Sequence, residues 1–118
     1  SKVVIMGLTY KENVADTRKS PSRDLIKELH EYDIDVYGYD PLLSEEEVKS
    51  FDVEPVKDID NLEFDVDSFV FTVSHDEFKS ISINNLKALT NNNPLLVDVR
   101  GMFSKKESEK EGFIYRTL

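Results

Sequence analysis

Short apolar runs alternate along this chain with polar segments whose apolar residues recur every three or four positions. Val3 to Met6 is a continuous apolar, largely β-branched run that stops at Gly7, a pattern typical of a strand buried on both faces. The same criteria predict further strands at Asp35 to Tyr39, a weaker one at 53–56, Ser68 to Val73, Leu95 to Val99 and Phe113 to Arg116.

The segments between these strands carry helix signals. Ser20 and Pro21 predict an N-cap followed by a proline in the first helical position, and Leu25, Ile26 and Leu29 then fall on one face of a helix that runs to about Glu31. Ser44 and Glu47 have the spacing of a capping box. Shorter helical segments are predicted after Ser44 to about Phe51, as a single turn at Ile59 to Leu62, at Ile83 to Leu89 and at 104–111, with a polar turn at 90–94.

This alternation of strands and helices predicts the fold class. Strands separated by helices favour an α/β fold with helices on both sheet faces, a three-layer α/β/α sandwich of Rossmann-like type with a mostly parallel sheet of five to six strands. With 118 residues and 39% hydrophobic content, the chain is expected to form one domain, residues 1–118. Ligands of such sheets bind beyond the carboxyl ends of the strands, here after Met6, Tyr39, Val73 and Val99.

Charge and composition exclude several kinds of function. The formal net charge of −9 disfavours binding to nucleic acid or to an anionic membrane surface. Because the chain contains no cysteine, it has no disulfide, no thiolate metal site and no cysteine nucleophile of its own. No apolar run approaches the roughly 20 residues of a spanning helix. We therefore expect a cytoplasmic protein.

The loop between the first strand and the first helix is the first candidate site. Residues 7–22, "GLTYKENVADTRKSPS", make a connection about twice as long as the usual 2 to 6 residues. Arg18, Lys19 and Arg23 lie next to the helix N-terminus, where cations oppose the helix dipole unless an anion is bound between them. These residues either face a phosphate or belong to a solvated loop.

A dinucleotide-binding fingerprint is absent from this loop. Gly7 has no second or third glycine after it, so the glycine-rich turn that brings the backbone close to a pyrophosphate is missing. Asp40 lies at the end of the second strand, where a ribose-binding acid would stand, but its position before Pro41 favours a turn former. Receiver domains of similar size are the main alternative by architecture, and Asp76 lies several residues away from where their phosphorylated aspartate is expected.

Arg100, His75 and the pair Tyr37 and Tyr39 lie at or near predicted strand ends. Arg100, between Asp98 and Gly101, is either a ligand contact or the partner of a nearby carboxylate. His75 is either a turn residue, which we favour, or a residue that lines a ligand. With His30 as the second of two histidines, no metal site is predicted. Tyr37 and Tyr39 are expected to cover a sheet face.

Four segments, in order, resemble the C-terminal domain of the UDP-glucose/GDP-mannose dehydrogenase family over essentially the whole chain. They are "GLTYKENVADTRKSPSRDLIKEL", "VYGYDP", "FTVSHDEFK" and "LLVDVRGMF". The form of the first segment is closest to the UDP-N-acetyl-D-mannosamine dehydrogenases. Members oxidise the C6 alcohol of a nucleotide sugar to a carboxylate with two NAD+ in succession, through a catalytic cysteine on another part of their chain.

The resemblance implies a role for this chain and for four of its residues. The chain is expected to be a UDP-sugar-binding fragment without catalytic residues, inactive by itself, with NAD bound mainly by an absent N-terminal domain and with the full-length enzyme a homo-oligomer. Tyr10, Lys11 and Arg100 would bind the substrate, and Arg18 would reach the NAD+ pyrophosphate. Asp16 would orient the loop. The alternatives are UDP-glucose 6-dehydrogenase or another family member, or a non-catalytic Rossmann-like regulatory module.

Overall fold

Strands and helices alternate along the computed structural model, which describes residues 1–9, 13, 15 and 20–117. Within these ranges there are six strands and four α-helices. In chain order they are β1 (Lys2–Met6), α1 (Ser22–Glu31), β2 (Asp35–Tyr39), α2 (Glu45–Lys49), β3 (Glu54–Pro55), β4 (Val66–Phe71), α3 (Ile83–Ala88), β5 (Thr90–Asp98), α4 (Lys105–Lys110) and β6 (Ile114–Arg116). Single 3₁₀ turns lie at Ile59–Asn61 and Asp76–Ser80.

The strands form one sheet in the order β3-β2-β1-β4-β5-β6, and each neighbouring pair is parallel. The predicted α/β fold with a parallel sheet is therefore confirmed, at six strands. Because the chain leaves β1 in one direction to build β2 and β3 and returns to the other side of β1 for β4, the order reverses between β1 and β4. The carboxyl ends of these two strands are the topological switch point, where doubly wound sheets bind ligands.

The two faces of the sheet are packed separately. On β1, Val3 and Ile5 join a buried cluster with Ile26 of α1 and Val48 of α2, while Val4 joins the cluster on the opposite face. That opposite cluster contains residues from the sheet and from the elements that cover it, namely Phe69, Phe71, Phe78, Ile83, Leu86, Leu96, Phe113 and Tyr115. Apolar burial on both faces of β1 explains its continuous hydrophobic sequence, and the three-layer architecture is confirmed.

The paired tyrosines of β2 pack on the sheet as expected. Tyr37 stacks on Phe64 with ring centroids 4.2 Å apart, and Tyr39 lies 6.2 Å from Phe78. Both tyrosines pack against the same hydrophobic cluster. The prediction that they cover one sheet face is therefore confirmed.

Local capping signals were accurate at α2 and shifted by one position at α1. Ser44 Oγ accepts the Glu47 amide and the Glu47 side chain accepts the Ser44 amide, which completes the predicted capping box. At α1 the helix begins at Ser22, so Pro21 holds the N-cap position instead of the first helical position. Ser20 still contributes, because its Oγ accepts the Ser22 amide at 3.3 Å.

The predicted polar turn at 90–94 is wrong. These residues form the first half of β5, which pairs with β4 from Val66 opposite Thr90, with a register shift before Ser68. Asn93 has a φ of 57°, a left-handed conformation that asparagine tolerates and that is typical of an irregular position in a strand. The Asn91 side-chain amide donates a hydrogen bond to the Asp67 carboxylate. The 3₁₀ turn at Asp76–Ser80 was not predicted. None of the helices in the described ranges has the length and apolar character to span a membrane.

Candidate functional site

Four loops meet at the carboxyl edge of the sheet, and we call this region the switch-point edge. They follow Met6 of β1, Tyr39 of β2, Phe71 of β4 and Asp98 of β5. Parallel strands bring these loops to one side of the domain, as the sequence predicted. The chemistry of this edge depends on how each loop is held.

Gly7, at the switch point, is closely packed by neighbouring side chains. Its φ is 99°, and a Cβ at this position would collide with Cγ2 of Val73 and approach Oγ1 of Thr72 to 3.3 Å. Its carbonyl accepts hydrogen bonds from the hydroxyls of Thr72, at 2.5 Å, and Ser22, at 3.4 Å. The glycine therefore lets the residues after β4 approach closely, and these side chains fill the space that a phosphate would need. The described residues at this point do not fit a dinucleotide.

Asp40 connects the loops after β1 and β2. Its Oδ2 accepts the Leu8 amide at 2.8 Å, and its Oδ1 accepts the Leu42 amide at 3.0 Å. The second contact is the turn predicted from Asp-Pro, so the expected turn former is confirmed. Burial alone would raise the pKa of Asp40, but hydrogen bonds from His75 and from the Leu8 and Leu42 amides together hold it below its ordinary value of 3.8. With no exposed side-chain surface, this carboxylate does not face a ribose.

His75 extends the same network to the loop after β4. Its Nε2 lies 3.2 Å from Asp40 Oδ2 and 3.2 Å from Thr9 Oγ1, and its Nδ1 accepts the Asn13 amide at 2.9 Å. Because a backbone N–H can only donate, Nδ1 is unprotonated and Nε2 carries the ring hydrogen. His75 has no exposed side-chain surface and both ring nitrogens are engaged. This is the turn role that the sequence favoured, with added contacts to two other loops.

Thr9, Asn13, Asp40 and His75 form what we call the Asp40–His75 network. Sequence analysis treated Asp40 and His75 separately and missed their contact. The sequence did contain a signal for this contact, because Asp40 directly follows a buried strand and His75 closely follows another. The strand order then places these two strands, β2 and β4, on either side of β1. In the described part of the chain, every buried side-chain N or O atom has a hydrogen-bond partner.

Asp98 holds the loop that carries Arg100. Its carboxylate accepts the amides of Met102, at 2.9 Å, and Phe103, at 2.8 Å, and the hydroxyl of Tyr115, at 2.7 Å. These three donors hold the Asp98 carboxylate and fix the segment that follows Gly101. Burial, followed by the bond to Asp98 and its negative charge, raises the pKa of Tyr115 to about 12. Arg100 lies exposed on the supported loop at the switch-point edge.

The predicted group of loop cations is divided by the structure. Arg23 donates to the Ser50 carbonyl at 3.2 Å, and its guanidinium lies 4.1 Å from the centre of the Phe51 ring. The phosphate-facing assignment of Arg23 is therefore corrected, because stacking and a carbonyl at the end of α2 give it a structural role. The remaining predicted residues lie outside the described residues: Tyr10, Lys11, Asp16, Arg18 and Lys19.

The described side chains of this edge are suited to binding and not to acid–base chemistry. His75 and Asp40 use their polar atoms to hold loops, and Asp98 does the same for the segment around Arg100. The exposed residues among those described in the loops after β1 and β5 include Asn13, Ala15 and Arg100. Hydrogen bonds to Asp40, His75 and Asp98 thus hold the described parts of the loops at this edge, and Arg100 adds an exposed positive charge.

Comparison with known proteins identifies the domain. Residues 4–105 match the UDP binding domain of the UDP-glucose/GDP-mannose dehydrogenase family. UDP-glucose 6-dehydrogenase of Rhizobium meliloti is 33% identical over 119 residues, with 100% of this chain and 27% of that protein covered. UDP-N-acetyl-D-mannosamine dehydrogenase of Methanocaldococcus jannaschii is 31% identical over 114 residues, covering 95% of this chain and 25% of that protein.

A solved structure supports the same fold. The crystal structure of NDP-N-acetyl-D-galactosaminuronic acid dehydrogenase from Methanosarcina mazei Go1 superposes with a TM-score of 0.85 at 22% identity, covering 100% of this chain and 24% of that one. The chain thus spans about a quarter of the length of the relatives it matches. From the match over residues 4–105, this chain belongs to the UDP-glucose/GDP-mannose dehydrogenase family and corresponds to its UDP binding domain.

Proposed function

We propose that this chain is the nucleotide-sugar-binding domain of an NAD-dependent dehydrogenase that oxidises the C6 alcohol of a UDP-sugar to the uronic acid in two NAD+ steps. The observation that carries the proposal is the match of residues 4–105 to a UDP binding domain. The proposed sugar is N-acetyl-D-mannosamine, which the loop sequence 10–21 favours. Relatives named for UDP-glucose and for UDP-N-acetyl-D-mannosamine are similarly close, so UDP-glucose is the alternative.

In this proposal the ligand contacts come from two loops of the switch-point edge. Tyr10 and Lys11 contact the nucleotide-sugar from the loop after β1, and Arg100 contacts it from the loop after β5. The exposed position of Arg100 on a loop held by Asp98 supports this role. An arginine binds phosphate or carboxylate oxygens through a planar fork, and a lysine supplies a compact charge, so both suit a diphosphate.

The cofactor and the chemistry belong to other parts of a longer polypeptide in this proposal. The described residues around Gly7 are packed by Val73 and Thr72 and do not fit a dinucleotide, which agrees with an NAD+ site outside this domain. Arg18 would contribute to that site by reaching the NAD+ pyrophosphate. Since the chain has no cysteine, the nucleophile would also come from elsewhere. We propose a cytoplasmic homo-oligomer in which residues 1–118 form the C-terminal domain.

A titration with UDP tests the binding proposal directly. We expect UDP binding by calorimetry, and Arg100→Ala and Lys11→Ala each weaken it about tenfold or more, because each removes a charged hydrogen-bond donor. Lys27→Ala is the matched control, since Lys27 lies exposed on α1. The same variants are measured in a polypeptide extended to the length of the relatives, with the KM for the UDP-sugar as readout.

Two results would contradict the proposal. Absence of UDP binding in both the 118-residue chain and the extended polypeptide would refute the nucleotide role. Binding that is the same in Arg100→Ala, Lys11→Ala and Lys27→Ala would refute the residue assignments. An upstream reading frame with a glycine-rich strand-turn-helix and a cysteine-bearing segment would support the dehydrogenase over a stand-alone module.

A further inference from the structure

The turn after β4 holds both ends of a short segment in the loop after β1. Thr9 Oγ1 lies 3.2 Å from His75 Nε2, and the Asn13 amide donates to His75 Nδ1 at 2.9 Å. Asn13 Oδ1 in turn accepts the Asp76 amide at 2.9 Å. Asn13 has a φ of 59°, a left-handed conformation that asparagine tolerates, so the backbone at this anchor is a turn. Three residues separate Thr9 and Asn13 in the sequence.

His75 is itself held in one orientation. Its Nε2 hydrogen faces Asp40 Oδ2 at 3.2 Å, and Asp40 is fixed by the amides of Leu8 and Leu42. The imidazole is completely buried and lies 5.2 Å from the Phe78 ring. Rotation of the ring would break its bonds to the Asp40 carboxylate and the Asn13 amide, and the loss is costly at the carboxylate because that group is buried. The contact between the loops after β2 and β4 therefore determines where Thr9 and Asn13 of the loop after β1 are anchored.

We propose that His75 is the positioning residue of the nucleotide-sugar loop, acting through the hydrogen bond from the Asn13 amide to its Nδ1. This inference rests on the proposed function, because Tyr10 and Lys11 lie in the segment that His75 anchors. His75 touches no ligand in this account. Its unprotonated Nδ1 accepts the loop amide, and its Nε2 hydrogen ties that loop to Asp40.

Two substitutions separate the two bonds of the ring. In His75→Asn, the amide oxygen stands near the position of Nδ1, so it accepts the Asn13 amide but does not reach Asp40. In His75→Gln, the amide nitrogen stands near the position of Nε2, so it donates to Asp40 but leaves the Asn13 amide unpaired. His75→Gln loses the part-buried bond from the Asn13 amide, and His75→Asn loses the buried bond to Asp40. Urea unfolding establishes that both variants are folded.

The experiment compares loop protection and UDP binding in the two variants. His75→Gln is expected to speed hydrogen exchange of the Asn13 amide and to weaken UDP binding, each by roughly tenfold, the order expected for one lost hydrogen bond. His75→Asn is expected to stay within about threefold of the wild type in both measurements. Equal effects of the two variants on Asn13 exchange and on UDP binding would reduce His75 to a general structural role and overturn the inference.

Nitrogen NMR of the wild-type imidazole gives a test that needs no variant. The hydrogen bond from the Asn13 amide requires an Nδ1 without hydrogen, and a hydrogen on Nδ1 would overturn the inference. Failure of the proposed function is distinguishable. If the wild type binds no UDP, the nucleotide role fails, while the tautomer and the Asn13 exchange rates still decide whether His75 anchors the loop.

Discussion

At the scale of single residues, two buried carboxylates each accept loop amides, at different strand ends. Asp40 follows β2 and accepts the amides of Leu8 and Leu42, and Asp98 ends β5 and accepts the amides of Met102 and Phe103. Loop amides have no strand or helix partner, so a carboxylate placed among them supplies the missing acceptors. Each aspartate thereby holds a loop that carries, or leads to, a proposed ligand residue.

Replacing Tyr115 by phenylalanine tests the second of these supports. Tyr115→Phe removes the hydroxyl that donates to Asp98 and is expected to lower the free energy of unfolding by about 1.5–3 kcal/mol near pH 7, as for a bond to a charged group. The folded state raises the pKa of Tyr115 from 10.0 to about 12, so the folded state binds the phenolic proton more tightly than the unfolded state does. The hydroxyl's contribution is complete below pH 10 and is lost as pH rises toward 12.

Urea unfolding of the wild type and the variant from pH 7 to pH 11.5 measures this contribution, and the difference between them should shrink above about pH 10. Tyr32→Phe is the control, because Tyr32 is 75% exposed, and it should change stability by less than about 0.5 kcal/mol throughout. A Tyr115→Phe difference that is constant with pH would contradict the role of the hydroxyl.

At the scale of elements, the sequence predicted correctly those helices and strands whose signals lie in neighbouring residues. The bounds of β2 and the capping box of α2 were correct, because period-two burial and an N-cap depend on neighbouring residues. The start of β5 was wrong because its polar residues gain strand geometry only by pairing with β4 across a register shift. The sequence showed no glycine-rich phosphate turn at the end of β1, and the structure adds that Gly7 is used for packing against the residues after β4.

Two glycine substitutions separate backbone strain from close packing at the end of β1. Gly7 and Gly101 have φ values of 99° and 69°, so an alanine is strained at both, but only at Gly7 would its Cβ meet a neighbour within 4 Å. Gly101→Ala is expected to cost about 1–2 kcal/mol of unfolding free energy from strain alone. Gly7→Ala should cost roughly 1–3 kcal/mol more, because Val73 must move. Equal losses in urea unfolding would mean that β1 and the Val73 segment are not tightly packed.

At the scale of the whole molecule, the sheet order explains why the loops of the proposed binding site lie together. Reversal of the order between β1 and β4 brings the loops after β1, β2 and β4 together, and the Asp40–His75 network joins them. The chain spans about a quarter of the relatives' length, so the surfaces that would complete a catalytic site are expected in the remainder of a longer polypeptide.

The chain by itself is therefore expected to release no NADH from UDP-N-acetyl-D-mannosamine or UDP-glucose and NAD+. It has no cysteine, and the space beside Gly7 is filled by side chains. NADH formation is measured by its near-ultraviolet absorbance, and a polypeptide of the relatives' full length is the positive control. Turnover by the 118-residue chain would contradict the proposal that the cofactor site and the nucleophile belong to other parts of a longer polypeptide.

The amino-acid sequence alone determined the α/β class, most of the elements and the family resemblance, because apolar periodicity, caps and short ordered motifs are properties of neighbouring residues. It also indicated that Gly7 lacks a phosphate loop around it. Only the tertiary structure decided what the polar residues at the strand ends do. The partners of Asp40, His75 and Asp98 are distant in sequence, as are the carbonyl and ring that Arg23 contacts, and these partners become neighbours only when the strands take their order in the sheet.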